Sequence, residues 1–212
     1  MKVRTGVLVL LLLTLSLAAC GAQPQLAQAS QATREPFLMA GGVFLSGPQD
    51  FLLPSELTGE AYALTSAGTE APNSRVIEMR PDGEAYIAAT GRLMGWQRQL
   101  DRRSGAGPLY LVNVVNVYES EAGPLAVLSR EWHAEVWNRL DMGELTLRPD
   151  LPGVDAEHLV WQDGSGGIGV EIAYHNLYLL LTGPGEDGVD QYAFFADLVP
   201  RYLQWIREGE TQ

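Results

Sequence analysis

The chain of 212 residues holds one cysteine, one lysine and three histidines. A single thiol excludes an internal disulfide, a CxxC redox pair and a cysteine-rich zinc site. Basic side chains are scarce, 14 Lys+Arg against 26 Asp+Glu for a net charge of −12. That balance excludes a nucleic-acid binder, because phosphate contacts need a basic face. What is present is enough for a packed core: 46% of residues are apolar and 8% aromatic, which excludes global disorder. No internal repeat or low-complexity run is visible in the globular part.

The one cysteine has a telling position. Lys2 and Arg4 precede thirteen residues, Val7 to Ala19, interrupted only by Thr14 and Ser16. A membrane-spanning helix needs about 20 apolar residues, so this run has the length of a signal-peptide core instead. It ends in Leu17-Ala18-Ala19-Cys20, followed by Gly21. This ending is similar to the lipobox of bacterial lipoproteins at all four positions. The resemblance implies diacylation of the Cys20 sulfur, cleavage before Cys20 and often acylation of the new amine. Small Ala18 and Ala19 suit a peptidase cleft, and a thiol is the nucleophile that lipid transfer needs. Two or three acyl chains anchor stably where one does not. An ordinary secretory signal with an incidental cysteine, or an uncleaved anchor, is the plain alternative.

Removing residues 1–19 takes away Lys2 and Arg4 and leaves 12 basic against 26 acidic residues, a charge of −14 with no lysine at all. Schiff-base chemistry and lysine general bases are therefore excluded from the mature protein. A surface this acidic stands off anionic lipid, so the membrane partner is engaged through the acyl chains on Cys20. The lipoprotein resemblance places the chain on the extracytoplasmic side of a bacterial cell membrane. In a two-membrane host, Gly21 rather than Asp after the cysteine favours the outer membrane.

Residues 20–35 read as the acylated cysteine and a flexible Gln-, Ala- and Ser-rich tether. Residues 36–212 read as one globular domain. Residues 109–118 are β-branched and apolar on both faces, broken by Asn113 and Asn116, which suits a central strand. Residues 168–174 alternate, and after His175-Asn176 a second strand follows, so 168–182 predicts a hairpin. Gly91 to Arg103 predicts another strand. Helices are predicted at Gly83–Thr90, from Pro124 through Leu125, Leu128, Trp132, Val136 and Leu140, and from an Asp190 N-cap to the C-terminus. Pro200 should kink or split the last one. The expected fold class is α+β, a mainly antiparallel sheet packed with helices.

Few residues suggest chemistry. The glycines of Gly164 to Gly169 precede an alternating strand rather than open a helix, so they read as a turn and not a phosphate loop. Ser165 lacks the first glycine of a nucleophile elbow. His133-x-Glu135 lacks the cysteines of a zinc deaminase. Glu186, Asp187 and Asp190 miss calcium-loop spacing. No catalytic set, metal site or cofactor motif is read. The candidate ligand-binding residues are Arg92, Trp96 and Arg98. Strand alternation puts them on one face with Met94, Leu100 and Arg102, where arginine beside tryptophan grips a planar or anionic group.

Beyond the lipobox, Gly91-Arg92-x-x-Gly95-Trp96, a strand ending in Val117-Tyr118, a helix, and Tyr174-His175-Asn176-Leu177-Tyr178 before a terminal helix form a recognisable order. It resembles uncharacterised extracytoplasmic lipoproteins with a compact α/β sandwich like that of PsbP and Mog1, over roughly residues 50–207. The resemblance implies a non-enzymatic binding or assembly module for an envelope protein or small ligand, and no catalytic residue carries over. A lipid-anchored hydrolase using His158 or His175, and a purely structural envelope protein, stay open as alternatives. A Cys20→Ala variant is expected to remain unprocessed and unacylated. Intact mass together with detergent phase partitioning checks this, and maturation to the wild-type mass would show that the lipobox reading is wrong.

Overall fold

Alternating side chains along five long strands give this chain a sheet with two unlike faces. The computed structural model describes residues 37–65, 67–185 and 191–211. Cys20, the tether and the acidic turn at Glu186, Asp187 and Asp190 lie outside them. Glu35–Gln212 forms one compact unit.

The described chain opens with β1 (Phe37–Ala40) and β2 (Val43–Phe44), a 3-10 turn at Pro48–Phe51 and α1 (Ser55–Thr58). Short strands β3 (Tyr62–Leu64) and β4 (Thr69–Ala71) lead to α2 (Asn73–Met79), α3 (Gly83–Thr90), and the long strands β5 (Arg92–Arg102) and β6 (Tyr110–Tyr118). Then follow α4 (Ala122–Val127), α5 (Ala134–Asp141), β7 (Leu145–Leu147), β8 (Glu157–Asp163), β9 (Ile168–Tyr174) and β10 (Leu177–Gly183). The chain closes with α6 (Tyr192–Glu208) and β11 (Glu210–Thr211). The main sheet has the order β3-β5-β6-β10-β9-β8-β7, with β4 also pairing β5. All its described ladders are antiparallel. The α+β class expected from the sequence is the observed one. No described helix is long and apolar enough to cross a membrane.

One face of the sheet packs on α6. Leu111 and Val115 of β6, Leu179 and Leu181 of β10, and Val170 and Ile172 of β9 meet Phe195, Val199, Tyr202 and Ile206 in one cluster. Each such aliphatic side chain contributes about 1.5–3 kcal/mol when fully buried. On the other face Tyr86 of α3, Val127 and Leu128 at α4, and Ala173 and Tyr178 of the sheet form a smaller cluster. The two asparagines of β6 divide between these faces. Asn113 Oδ1 accepts from Leu53 N at 2.7 Å and so fastens the segment after the 3-10 turn to the α6 side. Asn116 faces the other way.

Three expectations change. The helix expected from Pro124 to Leu140 is two helices, because the chain turns between Leu128 and His133, and Trp137 Nε1 donates to the Leu128 carbonyl across that turn at 3.1 Å. The apolar spacing persisted because Leu128 and Trp132 pack on the same cluster. The last helix runs unbroken through Pro200. At Arg92 a bulge interrupts the β5–β6 register, which pairs Arg92 with Tyr118 and then Met94 with Val117.

Asn176 is the main polar tie between the sheet and the β1–β2 hairpin. Its Oδ1 accepts from Phe44 N at 2.7 Å, and its Nδ2 donates to the carbonyls of Phe44 at 3.1 Å and Tyr118 at 2.8 Å. An Asn176→Ala variant leaves buried backbone groups unpaired and is expected to lose about 3 kcal/mol of stability in urea denaturation.

Candidate functional site

Strand β5 carries the three residues that its sequence marks for ligand binding, and the bulge separates them. Arg92 was expected on the face of Trp96 and Arg98; the extra residue, Leu93, turns it to the opposite face. There Arg92 is 4% exposed. Its Nη1 donates to Asn73 Oδ1 at 2.6 Å, and its Nη2 to the Ala71 carbonyl at 2.7 Å and Asn116 Oδ1 at 2.9 Å. These acceptors are neutral, and burial pulls its pKa below the ordinary arginine value. Gly95 is required beside it, since a Cβ there would meet Asn116 Oδ1 and Arg92 Nη2. Arg92 therefore ties β4, α2 and β6 together, with both N–H groups of Nη2 taken up by protein acceptors.

Trp96 and Arg98 do share the α6-side face, opposite Val115 and Asn113. Trp96 Nε1 and Arg98 Nε are buried, without a hydrogen-bond partner among the described residues. Burial also lowers the Arg98 pKa, against the opposing pull of Tyr202 and Glu56.

The three histidines have three different surroundings. His158 has a side chain 6% exposed. Its Nε2 accepts from Leu151 N at 3.0 Å, which leaves Nδ1 to donate to the Ala156 carbonyl at 2.8 Å. Both ring nitrogens are thus engaged by backbone, and His158 staples a loop. His133, just before α5, points at the sheet, with Nε2 2.5 Å from Glu171 Oε2. The two atoms are close enough for an ion pair but out of line for a hydrogen bond.

His175 lines an open cavity. It occupies the β9–β10 turn at φ 49°, a left-handed conformation that only a few side chains adopt readily. The cavity, about 350 Å³, is lined by Glu121, Leu125, Asp155, Tyr174, His175 and Arg207, among others. His175 Nδ1 lies 3.0 Å from Glu121 Oε1 and its Nε2 3.7 Å from Glu210 Oε1. Tyr174 donates to the same Glu210 oxygen at 2.6 Å. Burial, and then that hydrogen bond, push the Tyr174 phenol up to about 12. Arg207 pairs with Asp155 and lies over the Tyr174 ring. These groups come from four separate stretches of chain, gathered where the β9–β10 turn meets the start of α4 and the end of α6.

Carboxylates dominate this rim, and its one arginine already has an acidic partner. Such a site favours a positively charged guest over an anion. Its lining also places an imidazole between two carboxylates, an arrangement that can orient a base. Among the described residues no group of three or more His, Cys, Asp or Glu side chains could hold a metal ion. In the sequence, only Tyr174-His175-Asn176 was visible as a unit. Glu121 and Asp155 are far along the chain from it and from the C-terminal pair Arg207 and Glu210, and no spacing rule joins them.

No protein-family model, curated protein or solved structure matches this chain.

The contrast between the two histidines can be measured. His158→Ala removes partners from buried backbone groups and is expected to cost about 2 kcal/mol in thermal or urea unfolding. His175→Asn, which suits the left-handed turn, should stay within about 0.5 kcal/mol of wild type.

Proposed function

We propose that this chain is a bacterial lipoprotein, acylated at Cys20 and held extracytoplasmically on the cell membrane or outer membrane. In this reading its α+β domain is a non-catalytic binding or assembly module of the cell envelope. The observation that carries the proposal is the single cysteine at the last position of Leu17-Ala18-Ala19-Cys20, directly after the apolar run. The tether then supplies reach between the lipid and the domain.

The cavity at His175 is the proposed binding site, and its carboxylate rim selects the ligand. An amine, or a lysine or arginine side chain of an envelope protein, satisfies Glu121 and the acids around it without displacing Arg207 from Asp155.

One observation favours the rival hydrolase. His175 Nδ1 faces Glu121 at 3.0 Å, as a general base oriented by a carboxylate does. No serine, threonine or cysteine lines the cavity, so such a base would have to activate water.

Native mass spectrometry of the lipoprotein, purified gently from its own host, separates these readings. The expected result is a bound amine or a basic partner protein, reduced about tenfold in a Glu121→Gln, Asp155→Asn double variant. An ester- or amide-cleaving activity that vanishes in His175→Gln would establish the hydrolase instead. A bare acylated monomer that neither binds nor cleaves would make the domain purely structural.

A further inference from the structure

Among the described residues the helices cover only part of the outer sheet face, and register and exposure together show which part they leave open. Across five strands, Gly95, Asn116, Tyr178, Ala173 and Glu157 stand opposite one another. The cluster around Tyr86 and Leu128 roofs this row at Ala173 and Tyr178. Two residues along each strand lies the row Gln97, Val114, Leu180, Glu171 and Leu159, and two further the row Gln99, Val112, Thr182, Gly169 and Trp161. In that last row Gln99, Val112, Thr182 and Trp161 are half-exposed, and Gln97 beside them is exposed. Neither row carries a charge except Glu171, which is 1% exposed. On a chain of net charge −12, this is an uncharged patch.

Trp161 is held flat at one end of it. A Cβ on Gly169 would lie 2.1–2.6 Å from atoms of the Trp161 ring, so the six-membered ring rests on the glycine backbone. Its Nε1 donates to Glu171 Oε1 at 2.7 Å. A carboxylate taken out of water costs several kcal/mol unless its oxygens are paired. Here one oxygen fixes an indole and the other meets His133. The result is a ring plane set before any ligand arrives, which lowers the ordering cost of binding.

We infer that this open half of the outer sheet face binds a neutral oligosaccharide, with Trp161 as the stacking platform. The C–H face of a pyranose matches the electron-rich face of an indole. The hydroxyls at its rim match the amides of Gln97 and Gln99, the latter held by a hydrogen bond from its Nε2 to Asp101 Oδ1 at 2.7 Å that leaves its second N–H to donate. Thr182 Oγ1 already donates to the Ile168 carbonyl at 2.9 Å and so presents its lone pairs outward. The row from Trp161 to Gln99 crosses four strand spacings, about 19 Å, a length suited to a short oligosaccharide rather than a single sugar. An anionic ligand meets the repulsion of the acidic chain, and a cationic one finds no accessible carboxylate in these rows. Glu171 and His133 act as positioning residues for the ring. The site is separate from the cavity at His175 and does not rest on its assignment.

The test is isothermal titration of the full-length lipoprotein, in a polyoxyethylene detergent free of sugar head groups. The probes are the tetrasaccharides of β-1,4-linked N-acetylglucosamine, β-1,4-linked glucose and α-1,4-linked glucose. At least one is expected to bind with a dissociation constant below about 1 mM. Trp161→Ala should weaken it at least about tenfold, while Trp161→Phe and Glu171→Gln, which keep a ring and an acceptor respectively, should retain more affinity than Trp161→Ala and Glu171→Leu. Since Glu171→Leu risks misfolding, Gln99→Ala on the surface provides the second reading, an expected loss of about threefold. Failure of all three sugars to bind at about 5 mM, or binding untouched by Trp161→Ala, would overturn the assignment. So would a salt-sensitive preference for the deacetylated, cationic glucosamine tetrasaccharide.

Discussion

Strand β10 lies between β6 and β9, and its register on both neighbours is the constraint on which the other features depend. Leu177, Leu179 and Leu181 go to the α6 side, and Tyr178, Leu180 and Thr182 to the other. A slip of one residue would exchange these sets and drive Tyr178 and Thr182 into the aliphatic core. The turn that sets this register also lines the candidate site. His175 and Asn176 close the hairpin, and Asn176 binds backbone on both sides while His175 projects into the cavity. A single two-residue turn thus couples strand register, hairpin docking and the candidate binding site.

Buried polar groups are handled in two ways. Arg92 meets only neutral acceptors, three of them, so its charge is solvated by the protein much as water would do it. Glu171 is placed against an indole N–H and an imidazole. Above it, burial and then the charge of Glu171 hold the Tyr178 phenol well above its ordinary range. Tyr118 is raised in the same way, by burial and then by Tyr86, to which it is hydrogen-bonded at 3.0 Å. The outer face is therefore a polar layer under helices, whereas the α6 face is mainly apolar, with Asn113 and Arg98 as exceptions. This asymmetry explains why shorter helices suffice on the outer side and why part of that side is uncovered.

Much of the fold was legible because it is periodic. The β9–β10 hairpin, β5, β6 and α3 appear where alternation and the Gly91 stop place them, and Gly91 adopts φ 67° at the end of α3. The departures have local physical causes. A bulge at Leu93 reversed Arg92, and alternation cannot foresee an inserted residue. The apolar spacing through Trp132 continued across a turn because Leu128 and Trp132 pack on the same cluster, so spacing alone could not locate the break. Trp161 and Gly169 were visible only as strand residues. Their contact follows from the β8–β9 register, which one strand does not encode.

The amino-acid sequence by itself determined the broad limits: no disulfide, an acidic surface, an α+β class, and the position of Cys20 that supports lipid anchoring. These follow from composition and from periods of two or a few residues, which act locally along the chain. Tertiary structure alone decided which histidine opens to a cavity, which is stapled to backbone and which meets a buried carboxylate. It also decided that Trp161 lies flat on an uncovered row. These outcomes depend on residues such as Glu121, His175 and Glu210, brought together by sheet register and helix docking over separations that no local pattern spans.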